Sequence, residues 1–290
     1  MGEFQLSAHL AQLNAVHREM DEVYHQTAKA LGFSDGAFWI LYAVREADGQ
    51  LTQRELCDRM FMPKQTVNSA LKKMEREGVL ELRPAENRRG KRVFLGEKGR
   101  SLAERTVDAL FAAETRALVK KLLTGFSGSA VLDADGLNAA ASLMNAGEKL
   151  PRPAKGLILT PHPGEMSRLT GLSVEAIQAD REGVARRYAA QWNAVVVLKG
   201  ARTVVAAPDG RVCVNPTGNP GLARGGSGDV LAGMMSALLA CGLSAYEAAA
   251  CAVWLHGAAA DRAARQKGEY GMLPQDIFAH LGQMFAENDR

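Results

Sequence analysis

Cysteine is scarce in this chain of 290 residues: four, at Cys57, Cys213, Cys241 and Cys251, with no C-x-x-C pair. The scatter excludes a disulfide framework or a zinc ribbon and predicts buried free thiols in a reducing compartment. Long apolar runs are also lacking. The most apolar stretch, 230–243, is too short to cross a bilayer and is interrupted by Gly233 and Gly242. The opening Met-Gly-Glu-Phe-Gln carries no basic segment ahead of an apolar one, so no secretory signal is expected. A soluble cytoplasmic protein with no membrane partner is the expectation. Charge of one sign is nearly absent in the sum, +3 from 35 Lys+Arg against 32 Asp+Glu. It is not absent locally: between Leu51 and Arg100 there are 13 Lys+Arg and 7 Asp+Glu, an excess of +6 that leaves −3 for the rest. A basic stretch on an otherwise acidic chain predicts a polyanionic partner for that stretch alone. The length and a hydrophobic share of 47% accommodate two domains with real cores.

In the first part, Leu6, Leu10, Leu13, Met20, Val23 and Leu31 recur at three- and four-residue steps or their multiples, which predicts one long amphipathic helix over the first thirty residues. Ser34 heads a second helix with Phe38, Leu41 and Val44 on one face. Thr52 and Glu55 form a capping box for a third, ending near Met60, and a fourth runs over 64–77 to Gly78. Strands at 79–82 and 93–95 flank the basic turn Ala85-Glu86-Asn87-Arg88-Arg89-Gly90-Lys91-Arg92. These are the parts of a winged helix-turn-helix, mainly helical with a β-hairpin wing. Lys64, Gln65, Thr66, Asn68, Ser69 and Lys72 lie on the opening turns of the recognition helix, where amides, hydroxyls and ammonium groups reach base edges and phosphates. Arg88, Arg89, Lys91 and Arg92 on the wing would grip phosphate or enter a minor groove. A basic turn alone reads equally as a solvated loop; the ordered helix–helix–hairpin pattern favours double-stranded DNA.

Leu51-Thr52-Gln53-Arg54-Glu55-Leu56, the run from Gln65 through Gly78 and the basic wing resemble the MarR family of regulators. The resemblance implies homodimers or higher homo-oligomers formed through the first and last helices, with a dimer helix here over 97–122. Beyond it the sequence changes character near Leu123-Thr124-Gly125-Phe126, which sets a first domain at 1–124 and a second at 129–290.

In the second part, apolar strands at 130–132, 156–159 and 194–198 end in polar residues, and helices follow the first two, as in an open parallel sheet that presents ligand groups at its carboxyl edge. A hairpin follows, 203–207 and 211–214 about a Pro208-Asp209-Gly210 turn. Then the loop Thr217-Gly218-Asn219-Pro220-Gly221-Leu222-Ala223-Arg224-Gly225-Gly226-Ser227-Gly228-Asp229 opens into a helix over 230–240. Glycine-freed N–H groups and a helix amino end cradle phosphate, and Asp229 at the helix mouth can take a proton from a hydroxyl undergoing phosphorylation. The plainer reading is a tight turn with a capping Asp. His162, between two prolines after a buried strand, is a substrate-contact candidate, whereas His256 reads as packed core. Asp133 and Asp135 are open between a catalytic or metal-linked role and helix capping. No metal-ligand set is expected.

Asp133-Ala-Asp-Gly-Leu-Asn138, Thr160-Pro-His-Pro-Gly-Glu165, Val197-Leu-Lys-Gly-Ala-Arg-Thr203 and the loop resemble, in order and approximate spacing, the ADP-dependent NAD(P)H-hydrate dehydratases, which have a ribokinase-like fold. The resemblance implies that a hydrated nicotinamide ring is dehydrated to NAD(P)H at the expense of ADP, with Mg²⁺. It places Lys199, Gly200, Ala201, Arg202, Thr203 and Gly228 on the nucleotide, with Gly225, Gly226 and Ser227 in the same cradle. It places His162 and Asp229 on the hydrate, Asp229 as the acid–base residue. Family members begin well before the Asp133 motif, so the α/β domain here is truncated, and the lost strands would leave a sheet edge open. Three readings follow: a working dehydratase fused to a regulator, a regulator with a nucleotide-sensing but inactive domain, or a fusion without joint function.

Overall fold

The computed structural model describes residues 21–22, 24–47, 51–60, 62–84 and 91–288. Most of the helix expected over the first thirty residues, with Leu6, Leu10, Leu13, Met20 and Val23, lies outside them, as do Arg88 and Arg89. The chain divides into two compact units, Met1–Ala112 and Ala113–Arg290.

In the first unit, residues 21–22 and 24–30 are helical, with Tyr24 and Ala28 buried. Helix α1 (Asp35–Glu46) starts where the Ser34 hydroxyl accepts from the Ala37 N–H, and Phe38, Leu41 and Val44 go fully into the core. The expected capping box is present at α2 (Gln53–Met60): the Thr52 N–H and hydroxyl both donate to Glu55 at 2.7 Å. Helix α3 (Lys64–Arg76) buries Val67, Leu71 and Met74, the apolar face of a 3.6-residue repeat. The hairpin strands β2 (Leu80–Pro84) and β3 (Lys91–Leu95) pair antiparallel, and a two-residue strand β1 (Leu51–Thr52) adds to β3. That third strand carries no two-residue alternation long enough to read from sequence.

The helix expected unbroken over 97–122 is two helices, α4 (Glu97–Arg105) and α5 (Val107–Gly125). Thr106 breaks it with φ −130° and ψ −65°, its hydroxyl turned back to the Leu102 carbonyl at 2.8 Å. Arg45 of α1 then holds the first turn of α5 through two bonds to Asp108, at 2.6 and 2.8 Å.

The second unit is a five-stranded sheet in the order β4 (Ser129–Leu132), β5 (Gly156–Leu159), β6 (Val195–Leu198), β7 (Val204–Ala206), β8 (Val212–Val214). The first three strands are parallel and the last two antiparallel. Helices α6 (Asp135–Asn145), α7 (Pro163–Thr170), α8 (Val174–Ala179) and α9 (Arg181–Trp192) cover one face, where Leu137, Tyr188 and Trp192 pack with Leu157, Leu159, Val196 and Leu198. Helices α10 (Ser227–Ala240) and α11 (Ala245–Lys267) cover the other, with Leu231, Met235, Ala252 and Val253 on Ile158, Val195, Val197 and Val205. A last helix, α12 (Asp276–Asn288), packs against α11. Both faces of the central strands β5, β6 and β7 are buried, which is why they read as unbroken apolar runs, while β4 and β8 at the edges are half-buried; each side chain fully buried contributes about 1.5–3 kcal/mol. Strand β4 has no second neighbour among the described residues, the open edge the truncation predicts.

All four cysteines are free, but none is buried: Cys241 and Cys251 are exposed and Cys57 and Cys213 half-buried. The expectation of buried thiols is corrected. Cys241 follows the last turn of α10 and Cys251 lies on the outward side of α11.

Candidate functional site

The carboxyl ends of β4, β5 and β6 deliver three motifs to one place. Asp133 follows β4, His162 and Glu165 follow β5, and Lys199 follows β6. The Lys199 ammonium donates to Asp133 Oδ1 at 2.7 Å and lies 3.7 Å from Glu165 Oε2. The carboxylate of Glu165 also accepts from the His162 N–H at 2.8 Å. Neither aspartate caps α6 through its side chain: the cap position is Ala134, at φ +47° with no side-chain bond, and Asp135 accepts from Asn138 instead. The capping alternative is thereby corrected, because the Lys199 ammonium across the sheet edge holds Asp133.

His162 heads α7. Its Nδ1 accepts from the Gly164 and Glu165 N–H groups at 3.0 and 3.2 Å, which places the ring proton on Nε2. The ring is half exposed, and Nε2 lies 3.4 Å from Glu165 Oε1. His162 thus caps a helix and presents an edge to solvent.

The glycine-rich loop enters helix three residues earlier than expected. Gly226, at φ +90°, is the cap, and Ser227, Gly228 and Asp229 form the first turn of α10 with no side-chain cap on its amino end. First-turn N–H groups have no partner within a helix; that of Ser227 donates to the Arg224 carbonyl at 3.2 Å, and the Gly228 and Asp229 N–H groups are the ones this end presents to an anion. Gly228 makes a close approach here: a Cβ on it would lie 3.3 Å from Asp133 Oδ2, a tight contact, and 3.7 Å from Lys199 Nζ, an ordinary one. The helix end therefore rests directly on the Asp133–Lys199 pair. Gly225 and Gly226 are exposed, Ser227 is buried, and Asp229 is exposed beside them.

Lys199, Gly200, Ala201, Arg202 and Thr203 make a tight turn. Arg202 is held at φ +55°, and the Thr203 hydroxyl donates to the Gly200 carbonyl at 3.0 Å. Beneath it lies Arg181, which sequence reading missed. Its Nη2 donates to the Leu198 and Lys199 carbonyls at 2.8 and 3.3 Å, and burial holds its pKa below the usual arginine value. Its Nη1 donates to nearby Gln178 at 2.7 Å, but the bonds that join it to the turn run to backbone atoms seventeen and eighteen residues away, which local sequence does not show.

His256 is buried in α11, as expected. Burial lowers its pKa to about 4, with the Ser227 backbone opposing the shift, and its Nε2 has no hydrogen-bond partner among the described residues. A cavity of about 510 Å³ opens at the other end of the sheet, lined by Lys155, Asn193, Arg211 and Tyr246; it holds none of the site residues.

In the first unit, Lys64, Gln65, Thr66, Ser69 and Lys72 are exposed on α3. Asn68 is half-buried and its side-chain oxygen accepts from Gln53 of α2, so it ties the two helices of the motif together. Lys91 is exposed on β3 and Arg92 half-buried.

Three strands feeding a glycine loop and an uncapped helix end, behind a winged helix, define the class: a helical MarR-like region followed by a ribokinase-like α/β domain. The chain belongs to the NAD(P)H-hydrate dehydratase family, whose model matches residues 110–283; the MarR family model matches 31–90. It is 51% identical over 166 residues to a bifunctional NAD(P)H-hydrate repair enzyme of Moorella thermoacetica, covering 57% of this chain and 30% of that protein. It is 52% identical over 131 residues to an ADP-dependent (S)-NAD(P)H-hydrate dehydratase of Neisseria meningitidis, covering 45% of this chain and 44% of that one. The crystal structure of the ADP/ATP-dependent NAD(P)H-hydrate dehydratase of Bacillus subtilis, co-crystallised with ATP/Mg²⁺, superposes with a TM-score of 0.51 at 38% identity, covering 56% of this chain and 55% of that one. The chain spans between 30% and 44% of the length of these two curated relatives. No described helix is long and apolar enough to cross a membrane.

Proposed function

We propose that the second unit binds ADP and dehydrates NAD(P)H-hydrate, and that the first unit binds double-stranded DNA as a homodimer. The observation that carries the enzymatic reading is the seat of Gly228, which sets the uncapped end of α10 against the Asp133–Lys199 pair with exposed Asp229 alongside. The amides of Gly225, Gly226 and Gly228 take the nucleotide's phosphates, and the turn of Lys199, Gly200, Ala201, Arg202 and Thr203 takes the rest of the nucleotide. His162 presents Nε2–H to the hydrate. Asp229, free to approach substrate, takes the proton from the ring hydroxyl as that oxygen takes the β-phosphoryl group of ADP and AMP leaves; loss of phosphate and of a neighbouring ring C–H proton then forms the double bond of NAD(P)H.

The donor set fits Mg²⁺ carried on the phosphates. Among the described residues no group of three or more His, Cys, Asp or Glu could hold a metal, and Mg²⁺ characteristically relies on substrate phosphates with one or two carboxylates. Bound there, it would neutralise phosphate charge. Asp133, against Gly228, and Asp229, in the first turn of α10, are the carboxylates that would meet it.

The test mixes the full chain with NADH-hydrate, ADP and Mg²⁺ and follows NADH by absorbance. Formation of NADH that disappears in Asp229→Ala supports the reading; no NADH from folded protein that binds ADP overturns it. That second outcome favours the other reading, a regulator whose second unit senses nucleotide without turnover. The open edge at β4 favours it, since half of the hydrate's surroundings in longer family members would come from before that strand. A second unit without fixed tertiary structure would instead support a fusion without joint function.

On the DNA side, Lys64, Gln65, Thr66, Ser69 and Lys72 would meet the groove, with Lys91, Arg92 and the wing residues Arg88 and Arg89 on phosphate. Asn68 would set the angle between the two helices.

A further inference from the structure

The loop that cradles phosphate in this reading is held from behind by one face of α11. Asp261 Oδ2 accepts from the Gly218 N–H and Oδ1 from Asn219 Nδ2, both at 2.9 Å. Asn219 in turn accepts from the Gly221 N–H at 3.0 Å and heads the 3₁₀ turn Pro220–Leu222. One helical turn before Asp261, Gly257 meets the loop backbone to backbone: a Cβ there would lie 2.3 Å from Thr217 Oγ1 and 2.9 Å from the Gly218 nitrogen. A turn earlier again, the Val253 carbonyl accepts from Asn215 Nδ2 at 3.4 Å and the Trp254 carbonyl from the Thr217 hydroxyl at 3.0 Å. Residues 253, 257 and 261 share a face at four-residue spacing. The far end of the loop is fixed separately, where Arg224 donates to the Met272 and Tyr270 carbonyls at 2.8 and 3.0 Å. Past the second anchor the chain runs straight through Gly225 and Gly226 into the first turn of α10, so both anchors set the approach of that stretch to a ligand.

We propose that Asp261 is a positioning residue for nucleotide binding: it holds the Gly218–Asn219 end of the loop so that the amides ahead of α10 converge before ADP arrives. The proposal rests on the ADP-binding reading of this site. Asp261 touches neither nucleotide nor hydrate; it acts through the loop. A carboxylate is needed because both partners are donors. Asn at this position keeps one acceptor and turns a second donor toward one of them. A preorganised cradle binds without the cost of ordering the loop.

The test compares full-length wild type with Asp261→Ala, Asp261→Asn and Asn219→Ala, the last removing one of the two bonds to Asp261 together with the Gly221–Asn219 bond and leaving the residues of α11 unchanged. Amide hydrogen exchange without ligand is read over residues 217–229, and ADP affinity is measured by calorimetry with Mg²⁺. The expectation is exchange at least about tenfold faster over the loop, unchanged exchange in β5 and β6, and an ADP dissociation constant raised about tenfold. Asn219→Ala should loosen the loop as well, and the double variant should show less than the sum of the two effects, because the Asn219–Asp261 bond is shared. Loop exchange that stays at the wild-type rate, or that rises equally in the strands, would overturn the proposal by making Asp261 irrelevant or merely stabilising. An unchanged ADP affinity in a loosened loop would overturn it as well. Failure of the underlying reading looks different: wild type itself would not bind ADP.

Discussion

The Lys199 ammonium and Asp133 Oδ1 lie 2.7 Å apart although sixty-six residues separate them in the chain. With side-chain exposures of 21% and 16%, this is a mostly buried ion pair, and it fastens β6 to the end of β4. Removing one partner of such a pair leaves a charge without compensation, at a cost of roughly 3 kcal/mol. Lys199→Met should lower the denaturation midpoint of the second unit accordingly. The Lys199→Met, Asp133→Leu double variant should recover much of the loss, read by urea unfolding. Additive losses would show that the pair is not coupled.

Gly228 gives a sharper handle on the site than either charge. Alanine there must push against Asp133 in the first turn of α10 while leaving the cores untouched. ADP affinity should fall at least about tenfold, equivalent to about 1.4 kcal/mol, with the melting temperature nearly unchanged. Wild-type affinity in Gly228→Ala would place the nucleotide elsewhere.

His256 makes the second unit acid-sensitive. Its folded pKa of about 4 lies below the ordinary 6.5, so the unfolded chain binds a proton that the folded chain refuses. Stability is therefore complete above pH 6.5 and declines as the pH falls from 6.5 to 4, by up to roughly 3 kcal/mol. The His256→Gln variant should flatten that decline in unfolding measured at successive pH values. An identical profile in the variant would assign the acid sensitivity to other groups.

On the DNA side, Lys64 and Lys72 stand exposed at the opening turns of α3. Each alanine substitution should weaken binding to any duplex and reduce the slope of log affinity against log salt by roughly one. Binding that survives the combined Arg88→Ala, Arg89→Ala and Lys91→Ala change would overturn the wing as a phosphate contact.

Much of this protein follows from local pattern. Ser34, the Thr52–Glu55 box and the spacing of Val67, Leu71 and Met74 determine the helices of the first unit, because capping and a 3.6-residue repeat are short-range effects. The apolar runs of β4, β5 and β6 and the glycine loop before Asp229 likewise announce a parallel sheet with a glycine-rich loop at its carboxyl edge. Tertiary structure alone decided the rest. It broke the helix at Thr106, where the hydroxyl turns back on Leu102, and it brought out Cys241 and Cys251, which follow the outer surfaces of α10 and α11. It joined Asp133 to Lys199, Arg181 to the Lys199 turn and Asp261 to Gly218. Each of these partners is distant in sequence, and most of the acceptors or donors are backbone atoms, which have no letter in a sequence. Local chemistry determines which residues can bind phosphate; the packing of α11 and the crossing of the strands determine where they meet.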